Sequence, residues 1–205
     1  MKVAIVGGTG DFGLALARQL VESGVSVVIG SRDAERAAEK GDDVGASGAA
    51  NDDAVRGADI VVLAVKADAA LATAESLASS IGTTPVLSVA SELRFTKQGV
   101  FPGDEDQSIA ERTQALLEAP VVAGLHSLAA ASLANGKADG DALVCGDDGD
   151  AKELAIELAA AVVTGRALDA GPLASARALE GMTAVIVNLN KRYKAHAGVQ
   201  VTGLT

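Results

Sequence analysis

Short apolar runs alternate with longer amphipathic stretches from the start of the chain to about residue 124. Val3–Val6, Val25–Gly30, Asp59–Val65, Pro85–Val89 and Pro120–Gly124 are rich in Val, Ile and Leu with little polar alternation. Runs of that kind are strands covered on both faces, as in a parallel sheet. Between them, Asp11–Ser23, Asp33–Lys40, Asn51–Ala58, Ala67–Ile81 and Ser108–Glu118 read as helices. Gly24 stands just past the first helix, where a chain often turns left-handed to end it. Ser108 followed by Glu111 is a capping-box pattern. Gly41–Asn51 and Ala90–Gln107 show no periodicity and read as irregular. The alternation predicts an α/β fold, a Rossmann-type parallel sheet with helices on both faces and right-handed crossovers.

After Leu125 the pattern loosens. Ala129–Ala138 is rich in Ala and Ser, Ala142–Gly146 reads as a strand, Ala151–Val163 as a helix and Arg166–Ala170 as an extended segment. Gly171-Pro172 then opens a long helix from Leu173 to about Tyr193, proline being suited to a first helical turn. A boundary at Gly124 gives a nucleotide-binding domain, residues 1–124, and a small C-terminal α/β domain, residues 125–205. The second is too small to complete a core alone, so it needs the first domain or another subunit; a homodimer is expected.

Composition narrows this picture. Aromatic residues make up 2% of the chain against 49% hydrophobic, so the core must be built from Ala, Val, Leu and Ile. No apolar run approaches the roughly 18 residues of a membrane span, and the N-terminus starts the fold without a leader pattern, so a cytoplasmic protein is expected. The single cysteine, Cys145, excludes an intrachain disulfide, and neither a metal cluster nor a nucleophile motif is evident. The net charge of −10 argues against nucleic acid as a partner and suits a solvated acidic surface, with adaptation to high salt as a sharper reading.

The chemistry begins at the first strand. Lys2–Val6 runs into Gly8-x-Gly10-x-x-Gly13 and a helix follows at once, which is the strand, turn and helix start that seats a dinucleotide pyrophosphate. In that pattern Gly8 makes the turn, Gly10 admits the phosphates and Gly13 lets helix and strand approach; Thr9, Asp11 and Phe12 lie between them. NAD sites usually place a carboxylate at the end of the second strand. Here that place holds Ser31 and Arg32, with Arg36 one turn on, and a hydroxyl with two guanidinium groups matches a 2′-phosphate. NADP(H) is therefore expected over NAD(H). Val65 and Lys66, at the end of the strand Asp59–Val65, complete the expected cofactor contacts.

VGGTGDFG at the start, GSRDAER after the second strand, GLHSLAAASLA at 124–134, VCGDD at 144–148 and LDAGPLASARALE at 168–180 together resemble the NADPH-dependent reductases of coenzyme F420, over nearly the whole chain. The resemblance implies NADP around Thr9, Ser31, Arg32 and Arg36. It implies a deazaflavin over the nicotinamide in a cleft closed by the C-terminal part, near His126 and Thr183, which would orient the rings. It implies direct hydride transfer, with no essential acid or base in that step. Departures from the family pattern fall at Lys66-Ala67, Ser91–Arg94, Leu128-Ala129 and Gly181, all in the deazaflavin half. The basic run Lys191-Arg192-Tyr193-Lys194 suits the C-terminal end of a helix and could also meet the phosphate and glutamyl tail of F420.

Other classes fit less well. Short-chain reductases and epimerases need Tyr with Lys four residues later, and the single tyrosine, Tyr193, is followed at that spacing by Ala197. Imine and phosphogluconate-type dehydrogenases need a long helical second domain. An NADP-dependent reductase of another small substrate and a non-catalytic NADP-sensing module remain as alternatives. His126 alone, apart from the resemblance, is as well read as a structural imidazole; His196 lies in a polar tail.

Overall fold

The structure is a computed structural model and describes residues 1–204. Eight strands form one sheet: β1 (Lys2–Val6), β2 (Ser26–Ser31), β3 (Ser47–Ala50), β4 (Ile60–Leu63), β5 (Val86–Ser88), β8 (Val121–Gly124), β9 (Ala142–Gly146) and β10 (Ala167–Asp169). Their spatial order is β3-β2-β1-β4-β5-β8-β9-β10. All neighbours are parallel except β8 and β9, which run antiparallel. From β1 the chain winds outward through β2 to β3, then returns to the other side of β1 to place β4. The order therefore reverses between β1 and β4, and the crevice outside the carboxyl ends of those two strands is where open α/β sheets bind ligands.

The helices are α1 (Asp11–Glu22), α2 (Ala34–Asp42), α3 (Asn51–Val55), α4 (Ala67–Ile81), α5 (Ile109–Gln114), α6 (Ala130–Ala134), α7 (Gly149–Val162) and α8 (Ala176–Tyr193), the last preceded by a 3-10 turn at Leu173–Ser175. Alternate residues of each strand feed two cores. Val3, Ile5, Ile60, Val62, Val122 and Val144 meet Leu16 and Leu20 of α1, Leu133 of α6 and Leu158 and Val162 of α7. Ala4, Val6, Val61, Leu63, Val121 and Cys145 meet Val55 of α3, Leu77 and Ile81 of α4, Ile109 of α5 and Leu179 of α8. Period-2 burial on both faces is what the continuous apolar runs require. Residues 125–204 add β9 and β10 to the sheet of residues 1–124 and helices to both of its cores, and Gly124 falls where the strand direction reverses.

Two segments read as irregular contain strands. Within 41–51, Ser47–Ala50 forms the edge strand β3 beside β2. Its residues are small because α2 lies against it: a side chain at Gly48 would collide with the Ala37 carbonyl. Within 90–107, β6 (Leu93–Phe95) and β7 (Val100–Pro102) make an antiparallel hairpin outside the main sheet. Its turn is closed by Thr96 N–H donating to the Gly99 carbonyl at 2.9 Å. Asn188 of α8 accepts from the Val100 N–H at 2.9 Å and donates to the Val100 carbonyl at 2.7 Å. A helix side chain thus does the work of a third strand, which no local pattern could announce. The predicted capping box is present: Ser108 Oγ accepts from Glu111 N–H at 3.0 Å, and the Glu111 carboxylate accepts from Ser108 N–H at 2.8 Å. Gly24 is left-handed, with φ 83°, as its position after α1 predicts.

Candidate functional site

Two clefts open on the carboxyl side of the sheet and meet along Ala64–Lys66 and Asp68. The first, about 740 Å³, is lined by Gly7, Thr9 and Gly10 from the glycine turn, Ser31, Arg32 and Arg36 from the end of β2 and α2, and Asn51 and Thr73 opposite. The glycine pattern distributes its roles differently from the sequence reading. The left-handed residue is Gly7, φ 82°, not Gly8. Gly8 is buried against Ile29 and the Ile5 carbonyl, and Gly13 packs on Gly7 and Gly8, where a Cβ would sit 2.7 Å from the Gly7 carbonyl oxygen. Gly10 is unlike them. Its absent Cβ would meet only the Gly7 oxygen at 3.4 Å, an ordinary contact, and the residue faces the cleft. The free space beside Gly10 is the space a pyrophosphate backbone approach needs. Asp11 is the exposed first residue of α1, where its charge suits the helix dipole.

At the other end of this cleft, Asp33 caps α2 by accepting the Arg36 N–H at 3.1 Å, and the Asp33 N–H donates to Ser31 Oγ at 3.2 Å. Asp33 is therefore occupied with backbone groups. Neither the Arg32 nor the Arg36 guanidinium makes an ion pair among the described residues. Two free guanidinium groups and a hydroxyl at the position where NAD sites hold a carboxylate fit a 2′-phosphorylated ribose. Asn51, which opens α3, joins them; its Oδ1 is buried without a partner. The sequence marked Asn51 only as a helix boundary.

The second cleft, about 590 Å³, lies on the other side of Val65 and Lys66. Its lining is mostly apolar, with Phe12, Val89, Leu93, Phe95, Leu125 and Leu128 around His126 and Thr183. Phe12, taken with the glycine loop in the sequence, thus faces this second cleft. His126 is 5% exposed and neither ring nitrogen has a hydrogen-bond partner among the described residues. Burial pushes its pKa down to about 4, the Ala90 backbone opposing the shift, so the ring is neutral at pH 7. A neutral imidazole offers one donor and one acceptor to a ligand, and no charge.

His126 is held by its neighbours in the chain and across the cleft. Leu125 before it has φ 65°, a left-handed value that a leucine adopts only under constraint. Thr183 Oγ donates to the His126 carbonyl at 2.9 Å, and Ser91 Oγ lies 2.7 Å from Thr183 Oγ. With the threonine proton engaged on the carbonyl, Ser91 is the donor of that second bond. Thr183 lines the cleft, and its hydroxyl fixes the His126 segment to α8. Ser91, which the sequence showed only as a departure from a pattern, is the outer link of this chain. Lys66 precedes α4 at the seam of the two clefts and makes no ion pair among the described residues. A Cβ added at Gly181 would stand 3.5 Å from the Pro102 ring, an ordinary contact, so a methyl group there would fit without displacing the hairpin. Cys145 is buried in the core, and burial pushes its thiol up to about 11.

The family description "NADP oxidoreductase coenzyme F420-dependent" matches residues 2–92. The chain is 37% identical to the F420-dependent NADP reductase of Methanothermobacter marburgensis, with all of this chain and 99% of that protein covered. It is 35% identical to the protein of the same name from Methanothermobacter thermautotrophicus, again over all of this chain and 96% of the relative. A crystal structure from Arthrobacter sp. FB24, described as a candidate F420-dependent NADP-reductase, superposes with a TM-score of 0.84 at 25% identity over 99% of this chain and all of the other. Similarity at these identities over the whole length of the relatives shows the family: the chain belongs to the coenzyme F420-dependent NADP oxidoreductases.

Proposed function

We infer that this chain is an F420-dependent NADP oxidoreductase, transferring a hydride between NADP(H) and coenzyme F420. The observation that supports it is the meeting of the two clefts at Ala64–Lys66, one fitted to a phosphorylated dinucleotide and the other mostly apolar and lined by a neutral histidine. When both molecules are bound, C4 of the nicotinamide and C5 of the deazaflavin exchange the hydride, and a proton from water completes reduction of the deazaflavin.

The protein's contribution is placement. Gly10 admits the pyrophosphate, and Ser31, Arg32 and Arg36 hold the 2′-phosphate. Val65 and Lys66 form the floor where the two rings face each other. His126, neutral at pH 7, orients a ring through carbonyl or amide hydrogen bonds, and Thr183 with Ser91 keeps it in place. Apolar walls keep water from the reacting carbons. An assembly of two copies and a cytoplasmic setting belong to the same reading; Val185, Leu189 and Tyr193 form an exposed stripe along α8 that suits contact with a second copy.

The test is to mix the protein with NADPH and F420 and follow the deazaflavin band near 420 nm, which is lost on reduction. The expected result is loss of the band with NADPH and little with NADH. The double substitution Ser31→Ala, Arg32→Ala should weaken NADPH far more than NADH. An unchanged band at low and high salt would remove the enzymatic reading.

A further inference from the structure

We propose that Asn51 is a selectivity residue of the dinucleotide cleft: its uncharged amide donates to the oxygens of a 2′-phosphorylated ribose, and it keeps a carboxylate out of a place where one would favour a free 2′-hydroxyl. The inference rests on the reading of that cleft as the NADP cleft, and it adds a residue from a third element, α3, to those of β2 and α2. The strands β2 and β3 run parallel with Ser31 opposite Ala50, so Arg32 and Asn51 leave the sheet side by side. Neighbouring strands lie about 4.8 Å apart, which puts one bound phosphate within the span of both side chains. Asn51 lines the cleft together with Arg32 and Arg36.

An asparagine at the start of a helix usually caps it. This one does not: the residue before α3 is Ala50, no side chain caps the helix, and Asn51 Oδ1 is buried without a partner. A buried acceptor left unpaired is destabilising, so the fold itself gives no reason for this amide. The oxygen is turned in against Gly30, where a Cβ would stand 2.9 Å from it, and the glycine makes room for it. With Oδ1 inward, Nδ2 is the end left for the cleft, and N–H donors are what phosphate and ribose oxygens accept.

The surrounding charges point the same way. Asn51-Asp52-Asp53 is a run of three similar side chains, of which only the uncharged one lines the cleft. Asp52 accepts from Ser80 Oγ at 2.8 Å, and Asp53 pairs with Arg56 at 2.7 Å. Two carboxylates do line the cleft. Asp33 is occupied in capping α2, and Asp68 lies at the seam with the second cleft. A carboxylate at position 51 would neutralise Arg32 and repel a phosphate, while accepting from a 2′-hydroxyl as the carboxylate of NAD sites does.

The experiment titrates adenosine 2′,5′-bisphosphate and 5′-AMP by calorimetry, and NADPH and NADH by their fluorescence, with no F420 present. Asn51→Asp, nearly the same shape, should weaken the bisphosphate and NADPH about tenfold, the order of a like-charge contact near a surface. It should leave 5′-AMP and NADH as tight or tighter. Asn51→Ala adds no charge and removes the orphaned oxygen, so its thermal midpoint should not fall. It should weaken the 2′-phosphorylated pair about fivefold, as loss of one hydrogen bond to a charged group allows, and leave the other pair unmoved. Equal weakening of both pairs, or of neither, would overturn the selectivity role while leaving the NADP reading of the cleft intact. A parent protein that binds the bisphosphate no better than 5′-AMP would instead remove that reading, and the proposal with it.

Discussion

The three glycines of the GxGxxG turn look equivalent in the sequence and are not equivalent in space. A methyl group at Gly13 would press on the backbone of Gly7 and Gly8 at 2.7 and 2.8 Å, and backbone cannot step aside as a flexible side chain can. Gly13→Ala is therefore expected to lower stability by about 1–3 kcal/mol, the usual cost of forcing an extra methyl into a packed contact. Gly10→Ala meets nothing closer than 3.4 Å and keeps an ordinary extended φ of −82°, so its thermal midpoint should stay within a degree or two of the parent, roughly the span of a negligible stability change. Its NADPH affinity should nevertheless fall about tenfold or more, because the methyl occupies the pyrophosphate's approach. Thermal melting and NADPH titration on the two variants separate these effects. Unimpaired NADPH binding by Gly10→Ala would mean that the phosphates sit elsewhere. Residue type made the NADP half of the site legible, since Ser31, Arg32 and Arg36 stand at the diagnostic strand end. The other half was less so. Nothing in Gly-Leu-His-Ser announces that Leu125 is left-handed, and nothing in Ser91 announces that it reaches Thr183 across 92 positions.

Among the elements, α8 ties the deazaflavin side together, and Glu180 is its deepest anchor. Its carboxylate accepts from the Ile109 and Ala110 N–H groups at 3.1 and 3.2 Å, at the start of α5. One turn further along the same helix is Thr183. Burial raises the Glu180 pKa from 4.5 to about 7, against the two N–H bonds and the charges of Arg112 and Arg177. A carboxyl with a raised pKa in the folded protein binds its proton more tightly there than in the unfolded chain. Its contribution to stability is thus fully present below pH 4.5 and is lost as pH rises through about 7. The thermal midpoint of the parent protein should fall between pH 5 and 8, and Glu180→Gln should flatten that slope, having no proton to lose. Identical slopes in the two proteins would show that Glu180 does not titrate in this range. Elements with strong local signals, such as α4, β9 and the α5 capping box, were readable from the sequence. The edge strand β3 and the hairpin were not, because their partners are tertiary: small residues under α2 in one case, the Asn188 amide in the other.

For the whole molecule, the change of character near Gly124 bears on cooperativity. Composition and strand direction both change there, which is why the chain can be divided at that point in the sequence. The cores are not divided. Val3, Ile5 and Leu16 share one with Val144, Leu158 and Val162, and Ala4, Val61 and Leu77 share the other with Cys145, Leu173 and Leu179. Removing residues 125–205 would expose the inner faces of β8, β5 and α1 together. At its far end the tail is clasped to the same body: Asp141 Oδ2 accepts from the Val201 N–H at 2.9 Å and from Arg166 at 2.9 Å. Contacts shared in this way favour a single unfolding event over independent melting of two parts. Calorimetry should give one transition with equal calorimetric and van't Hoff enthalpies, and NADP should raise that whole transition through mass action on the folded state. Residues 1–124 expressed alone should not show a native melt. Two resolved transitions, with NADP shifting one of them, would mean that the nucleotide half folds by itself and that the C-terminal strands merely dock on it.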